Sequence, residues 1–215
     1  MRLEAKDVGF RYTRRGPVVL EGVSFSVEEG ERVGVVAPSG HGKTTFVKLL
    51  AGYERPTQGE VLLDGRPLPR TGPSPVQLIH QHPEHAINPR WRMRQVLEES
   101  GPDDDTVLDA LGIERAWLSR FPRELSGGEL QRFNVARSLY AGTRFLLADE
   151  ISTMLDVITQ AQVWHHLLEV AERRGIGMVV ISHNEHLARR VCTRVVDLRD
   201  LNRTGAPTGG PDAPH

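Results

Sequence analysis

The stretch Gly40-His41-Gly42-Lys43-Thr44-Thr45 carries the clearest chemistry in the chain. Small residues let successive backbone N–H groups turn inward into a nest of anion size, and a helix opening there adds the positive end of its dipole. Lys43 is placed to reach the outer phosphates of a nucleoside triphosphate, and the Thr44 hydroxyl to ligate Mg²⁺. The spacing is that of a P-loop, with Ser39 to Thr45 as the phosphate-binding residues. It departs from G-x-x-x-x-G-K-[ST] at Ala37, where glycine is usual. A methyl there costs little at negative φ and about 1–2 kcal/mol at positive φ.

A second group is Arg144-Phe145-Leu146-Leu147-Ala148-Asp149-Glu150, an apolar strand ending in two carboxylates. Parallel strands present functional side chains at their C-terminal edge, where a P-loop also lies. Asp149 is then a ligand of Mg²⁺ and Glu150 the group that polarises an attacking water. Two carboxylates after a strand, taken alone, also suit a solvated turn.

The third group, Leu125-Ser126-Gly127-Gly128-Glu129-Leu130-Gln131-Arg132, reads as a capped helix start. Ser126 is a natural N-cap, and the glycines leave N–H groups open at the positive helix end. This is a second anion site in a chain that already has one. The stretch resembles the signature of ABC-type ATPases, L-S-G-G-x-x-Q-R, and the other motifs follow in that family's order. The resemblance implies ATP and Mg²⁺ as cofactors and a pair of subunits. In such a pair Ser126, Gly127, Gly128 and Glu129 close over the nucleotide held by the partner. It further implies that Tyr12 stacks on adenine, that Gln81 reaches Mg²⁺ and the attacking water, that Asp156 lies in a loop crossing the dimer interface, and that His183 contacts the γ-phosphate. The catalytic set is thus Glu150, His183, Gln81 and Lys43, and the metal set Thr44, Gln81 and Asp149. Ile151 and Met154 depart from the family's usual Pro and Ala.

Gln81-His82-Pro83-Glu84-His85-Ala86-Ile87-Asn88-Pro89-Arg90 and Asp156 to Gln162 are similar to the oligopeptide, dipeptide and nickel importer branch. That similarity implies permease subunits, a second ATPase and, indirectly, a solute-binding protein as partners, at the cytoplasmic face of the membrane. The alternative is a soluble ABC-type ATPase acting on nucleic acid or in cofactor assembly. His80, His82 and His85 are not read as a metal site.

These residues need a scaffold that gathers strand ends. Alternation over Leu3–Tyr12 and Val18–Val27 predicts half-exposed strands; Arg32–Val36, Gly59–Leu63, Val76–His80, Arg144–Asp149 and Met178–Ser182 read as further strands. Helical spacing marks Lys43–Ala51, Met93–Glu99, Thr106–Leu111, Glu129–Tyr140 and a stripe of Ile158, Ala161, Trp164, Leu167 or Leu168 and Ala171. The expectation is an α/β P-loop NTPase core with a mainly parallel sheet. An antiparallel β subdomain opens it, and a helical lobe is inserted at about 89–141. Residues 1–203 form one domain, and 204–215 read as a disordered polar tail.

Composition bounds the rest. Lys plus Arg number 27 against 28 Asp plus Glu, so no global positive field draws nucleic acid, and none is expected as partner. Cys192 is the only cysteine, which rules out an intrachain disulfide framework. No apolar run approaches the roughly 20 residues of a membrane span.

Overall fold

The computed structural model describes residues 1–99, 101, 105–149, 151, 157–182 and 185–203, the side chains at 85 and 157–159 excepted. The predicted disordered tail, 204–215, lies outside them. The first half carries strands β1 (Arg2–Phe10), β2 (Leu20–Glu28) and β3 (Arg32–Val36), helix α1 (Lys43–Leu50), then β4 (Gln58–Leu63), β5 (Arg66–Pro67) and β6 (Val76–Ile79). Helices α2 (Met93–Glu98), α3 (Asp105–Ala110) and α4 (Gly127–Ser138) follow, and then β7 (Phe145–Asp149) and α5 (Val157–Arg174). The described chain closes with β8 (Gly177–Ile181), α6 (Glu185–Val191), β9 (Arg194–Asp197) and α7 (Leu198–Leu201).

Two sheets result. One is antiparallel, in the order β2-β1-β4-β5, and the other has the order β6-β7-β8-β3-β9 with every pairing parallel. The α/β fold class read from the sequence is therefore the one observed. The sheets approach where β8 begins, and only a residue without a side chain fits there. A Cβ on Gly177 would lie 2.5 Å from the Glu28 carbonyl oxygen and 2.6 Å from the Phe145 ring.

The pleat of the parallel sheet divides the core. Successive side chains point to opposite faces of a strand. Phe145 and Leu147 of β7 and Val179 and Ile181 of β8 join the cluster under the antiparallel sheet and α1, with Phe46, Leu3 and Leu20. Leu146, Ala148, Met178 and Val180 face the other way, into a cluster with Met93, Leu111, Phe133 and Leu167 from the helices. Strands buried on both faces need continuous apolar runs, which is why β7 and β8 show no alternation in sequence.

The helix before β8 corrects one detail of the predicted stripe. Trp164, Leu167 and Ala171 are buried, but Ala161 is exposed, and Val163 and Val170 complete the buried face. The sequence reading also assigned no elements between Ser182 and Leu198. There α6 packs so closely on β3 that a Cβ on Gly34 would lie 3.2 Å from Ala188 and from Val195. β9 then adds a parallel edge strand to β3. Beyond it, Asn202 accepts from the Glu21 N–H at 2.9 Å and donates to the Val19 carbonyl at 3.1 Å. The Arg203 N–H donates to the Glu21 carbonyl at 2.9 Å, so the end of the described chain clasps the start of β2.

Candidate functional site

Register places the motifs on one edge of the parallel sheet. Asp149 of β7 and Val35 of β3 both stand opposite Ile181 of the intervening β8. One row earlier, Ile79 of β6 stands opposite Ala148. The loop to Lys43 leaves one residue after Val35, Gln81 follows two residues after Ile79, and Asp149 is itself the last residue of its strand. Asp149 is 6% exposed, a carboxylate held at the mouth of the sheet.

In the phosphate loop, Gly40 and Gly42 adopt φ of 81° and 84°, and Gly42 is the N-cap of α1. Ala37 does not: among the described residues only Asp7 and Asp64 have positive φ outside glycine. The methyl that replaces the usual glycine is therefore unstrained. Lys43 folds back over the loop, its ammonium donating to the carbonyls of Ala37 at 2.8 Å and Pro38 at 3.1 Å. Burial of an ammonium is tolerated only with such partners, and Lys43 is 7% exposed. Thr44 is exposed beside it, whereas Thr45 is buried and its hydroxyl lies 2.8 Å from the Tyr12 hydroxyl. Tyr12 is 59% exposed, with its ring set edge-on against Phe10 at 4.9 Å. His41 Nδ1 sits 3.2 Å from the Ser39 carbonyl. Asp197, at the end of β9, is held below the usual carboxylate range chiefly by the hydrogen bond from Arg199, against the effect of burial and with a smaller contribution from His41.

The Ser126 stretch forms a reciprocal cap. Ser126 Oγ accepts from the Glu129 N–H at 3.3 Å, and the Glu129 carboxylate accepts from the Ser126 N–H at 2.7 Å. Ser126 and Gly127 are exposed, and apart from its chain neighbours and its own helix backbone no atom stands within 4 Å of where a Gly127 Cβ would be. The rest of α4 reaches back to the sheet edge. Gln131 Nε2 donates to the Ile151 carbonyl at 3.2 Å, just past the Asp149 strand. Asn134 Nδ2 donates to the His80 carbonyl at 3.1 Å, just before Gln81. Arg137 donates to the Ala86 carbonyl, and Arg132 to the Leu111 carbonyl at the end of α3, at 2.6 Å. Asn134 and Arg137 are contacts that the sequence reading missed. Their signal was present as polar residues three and seven positions from Gln131 and Leu130, on a helix face otherwise buried.

A family model described as ABC transporter matches residues 20–153 of this chain. The chain belongs to the ABC transporter family. It is 36% identical to the nickel import system ATP-binding protein NikE of Staphylococcus aureus strain bovine RF122 / ET3-1, across 92% of this chain and 87% of that protein. The NikE of strain MRSA252 is 35% identical with the same coverage. Among solved structures, the dimeric post-hydrolysis state of the ATP-binding cassette MJ0796 with ADP and Pi superposes with a TM-score of 0.76 at 22% identity, over 91% of this chain and 93% of that one. Clostridium perfringens cbiO1, part of the transporter complex cbiONQ, gives 0.74 at 20% identity, over 91% and 83%. As an ABC cassette the chain is the ATP-binding, ATP-hydrolysing subunit of a transporter.

Glu150, Asp156, His183 and the departure Met154 lie outside the described residues of this ABC cassette. The departure Ile151 is buried in the helical cluster, and its backbone carbonyl is the acceptor for Gln131. His80 packs edge-on against Tyr53 at 5.5 Å, and His82 faces Glu84 at 3.4 Å. The side chain of His85 is outside the described set. Among the described residues no helix is long and apolar enough to cross a membrane.

Proposed function

We propose that this cassette powers solute import, with nickel or a peptide as cargo, and that two cassettes close head to tail on ATP. The observation that carries the reading is the split chemistry of the chain. The phosphate loop and Asp149 share one sheet edge, while a second, glycine-opened helix start at Ser126 is exposed on α4. In this reading Ser39 to Thr45 cradle the phosphates of one ATP, Tyr12 lies against the adenine, and Ser126, Gly127, Gly128 and Glu129 of a second cassette cover the γ-phosphate. Glu150 polarises the attacking water, Gln81 and His183 position it against the γ-phosphate, and Asp156 contributes to the interface. The partner is a second copy or a related ATPase.

The hydroxyl of Thr44, the carboxylate of Asp149 and the amide oxygen of Gln81 are hard oxygen donors of the kind Mg²⁺ selects. Exposed Thr44 and the strand-end carboxylate suit such an ion, which would neutralise phosphate charge when bound. Residues 1–203 act as one unit with a helical lobe at about 89–141. The permeases would dock in a groove of about 900 Å³ lined by Tyr53, Leu68, Glu99, Arg137 and Tyr140. Tyr53, 61% exposed and in contact with His80, offers an aromatic anchor there. That docking would place the cassette on the cytoplasmic face of the membrane, with a solute-binding protein acting from the other side. Support for nickel as cargo comes from the NikE relatives.

Glu150→Gln tests the mechanism: ATP binding should persist, phosphate release should stop, and dimers should accumulate with ATP. Unimpaired phosphate release by that variant would remove Glu150 from the role. Cargo is tested by expressing the cassette with its co-purifying permeases and measuring uptake of labelled nickel against labelled dipeptides.

A further inference from the structure

Helix α5 carries a polar group that the nucleotide chemistry does not use. Its apolar face, Val163, Trp164, Leu167, Val170 and Ala171, packs into the helical cluster. On its outer side, His165, His166 and Glu169 fall on adjacent turns, at the i, i+3 and i, i+4 spacings that make side chains neighbours. One potential ligand atom from each of the three lies within 4.8 Å of the other two, and among the described residues this is the one such cluster.

The details favour a cation over a simple ion pair. The His166 Nδ1 is shielded from solvent, and no protein group hydrogen-bonds it. It faces the Glu169 carboxylate at 3.8 Å, too far for a hydrogen bond. Two bonds of about 2.0–2.1 Å to a shared ion would bridge that gap at an open angle. The rings of His165 and His166 lie edge to face with centroids 5.3 Å apart, and a ring nitrogen of the exposed His165 lies within 4.8 Å of the other two ligand atoms. Glu169 is 53% exposed at its side chain, leaving the outer coordination positions to water.

We propose that His165, His166 and Glu169 form a surface site for a borderline divalent cation of the zinc, nickel or cobalt class. Two imidazoles and one carboxylate match those ions, whereas Mg²⁺ and Ca²⁺ select oxygen ligands. None of the three residues belongs to the phosphate-binding set, and a cation there would staple one turn of α5.

The test uses the full chain without an affinity tag, stripped with EDTA and free of nucleotide. Zn²⁺ is titrated alone against a chromophoric chelator. The wild type should bind one Zn²⁺ more per chain than His165→Ala/His166→Ala/Glu169→Ala, and His166→Ala alone should weaken that ion by more than the about 10–100-fold typical of losing an outer-shell partner. Far-ultraviolet circular dichroism establishes that the variants are folded, and His165→Gln with Glu169→Gln provides a milder pair if they are not. Co²⁺ in the wild type should give visible absorption bands that the triple variant lacks. Equal stoichiometry and equal Co²⁺ spectra in wild type and variants overturn the proposal.

Discussion

Gln131 and Ile151 are joined by a buried hydrogen bond of 3.2 Å, amide to carbonyl. Through it a helix that starts at the exposed Ser126 is fixed to the residue that follows Asp149 and Glu150. Gln131→Ala would leave a buried carbonyl without its donor, which costs about 1–3 kcal/mol. Urea unfolding should register that loss. ATP hydrolysis should fall more than ATP affinity, because the phosphate loop lies on another strand. Unchanged stability would mean that the carbonyl finds another donor.

Ala37→Gly restores the residue usual at the start of the loop. Since Ala37 is unstrained, the change should leave ATP affinity within about twofold and lower stability by about 0.4–1 kcal/mol through unfolded-state entropy. A large gain in affinity would show that the methyl obstructs the nucleotide.

Gly42→Ala should behave in the opposite way. The position has φ of 84°, and a Cβ would stand 3.1 Å from Val19 and Leu20 side chains. Left-handed strain of about 1–2 kcal/mol on the bound loop corresponds to about tenfold weaker ATP binding. Fluorescent ATP-analogue titration reads it directly, and wild-type affinity would remove the αL requirement.

Two substitutions separate the roles of Tyr12. Tyr12→Phe loses the 2.8 Å contact with Thr45 and keeps the ring, so a neutral hydrogen bond of about 0.5–1.5 kcal/mol is at stake in stability. Tyr12→Ala also loses the ring and should weaken ATP and GTP alike if stacking is its function. Equal nucleotide affinity for all three proteins would place the adenine elsewhere.

Burial pushes the Cys192 thiol up from its ordinary 9.0 to about 12, with Arg32 opposing. A proton retained by the folded chain and lost by the unfolded one stabilises the fold below pH 9 and ceases to do so as pH rises towards 12. The alkaline loss of stability should be shallower in Cys192→Ala, and native Cys192 should react slowly with iodoacetamide at pH 8. Rapid alkylation without unfolding would contradict the raised thiol pKa.

What the sequence revealed and what it concealed have physical reasons. The turn at Gly40 to Thr45, the strand Phe145 to Asp149 and the capped helix start within Leu125 to Arg132 were legible because each depends on residue type at fixed local spacing. The α/β class was legible because runs such as Gly177–Ile181 are too short and β-branched for helices. The edge strand β9 escaped because its residues Arg194–Asp197 are at most half-buried and its partner β3 is 158 or more positions away in sequence, a pairing with no local mark. The polar side chains of Asn134 and Arg132 were visible, but their acceptors were not, since His80 and Leu111 lie 54 and 21 positions away. The sign of φ at Ala37, on which the cost of that departure turned, is a property of the folded loop alone.

Asn202 and Arg203 hold the strand that begins beside Val19, and Val19 is one of the two side chains walling Gly42. Trimming the protein from its far terminus past these two positions would thus loosen the pocket near its beginning. A fusion partner attached after Arg203 has to leave these hydrogen bonds intact.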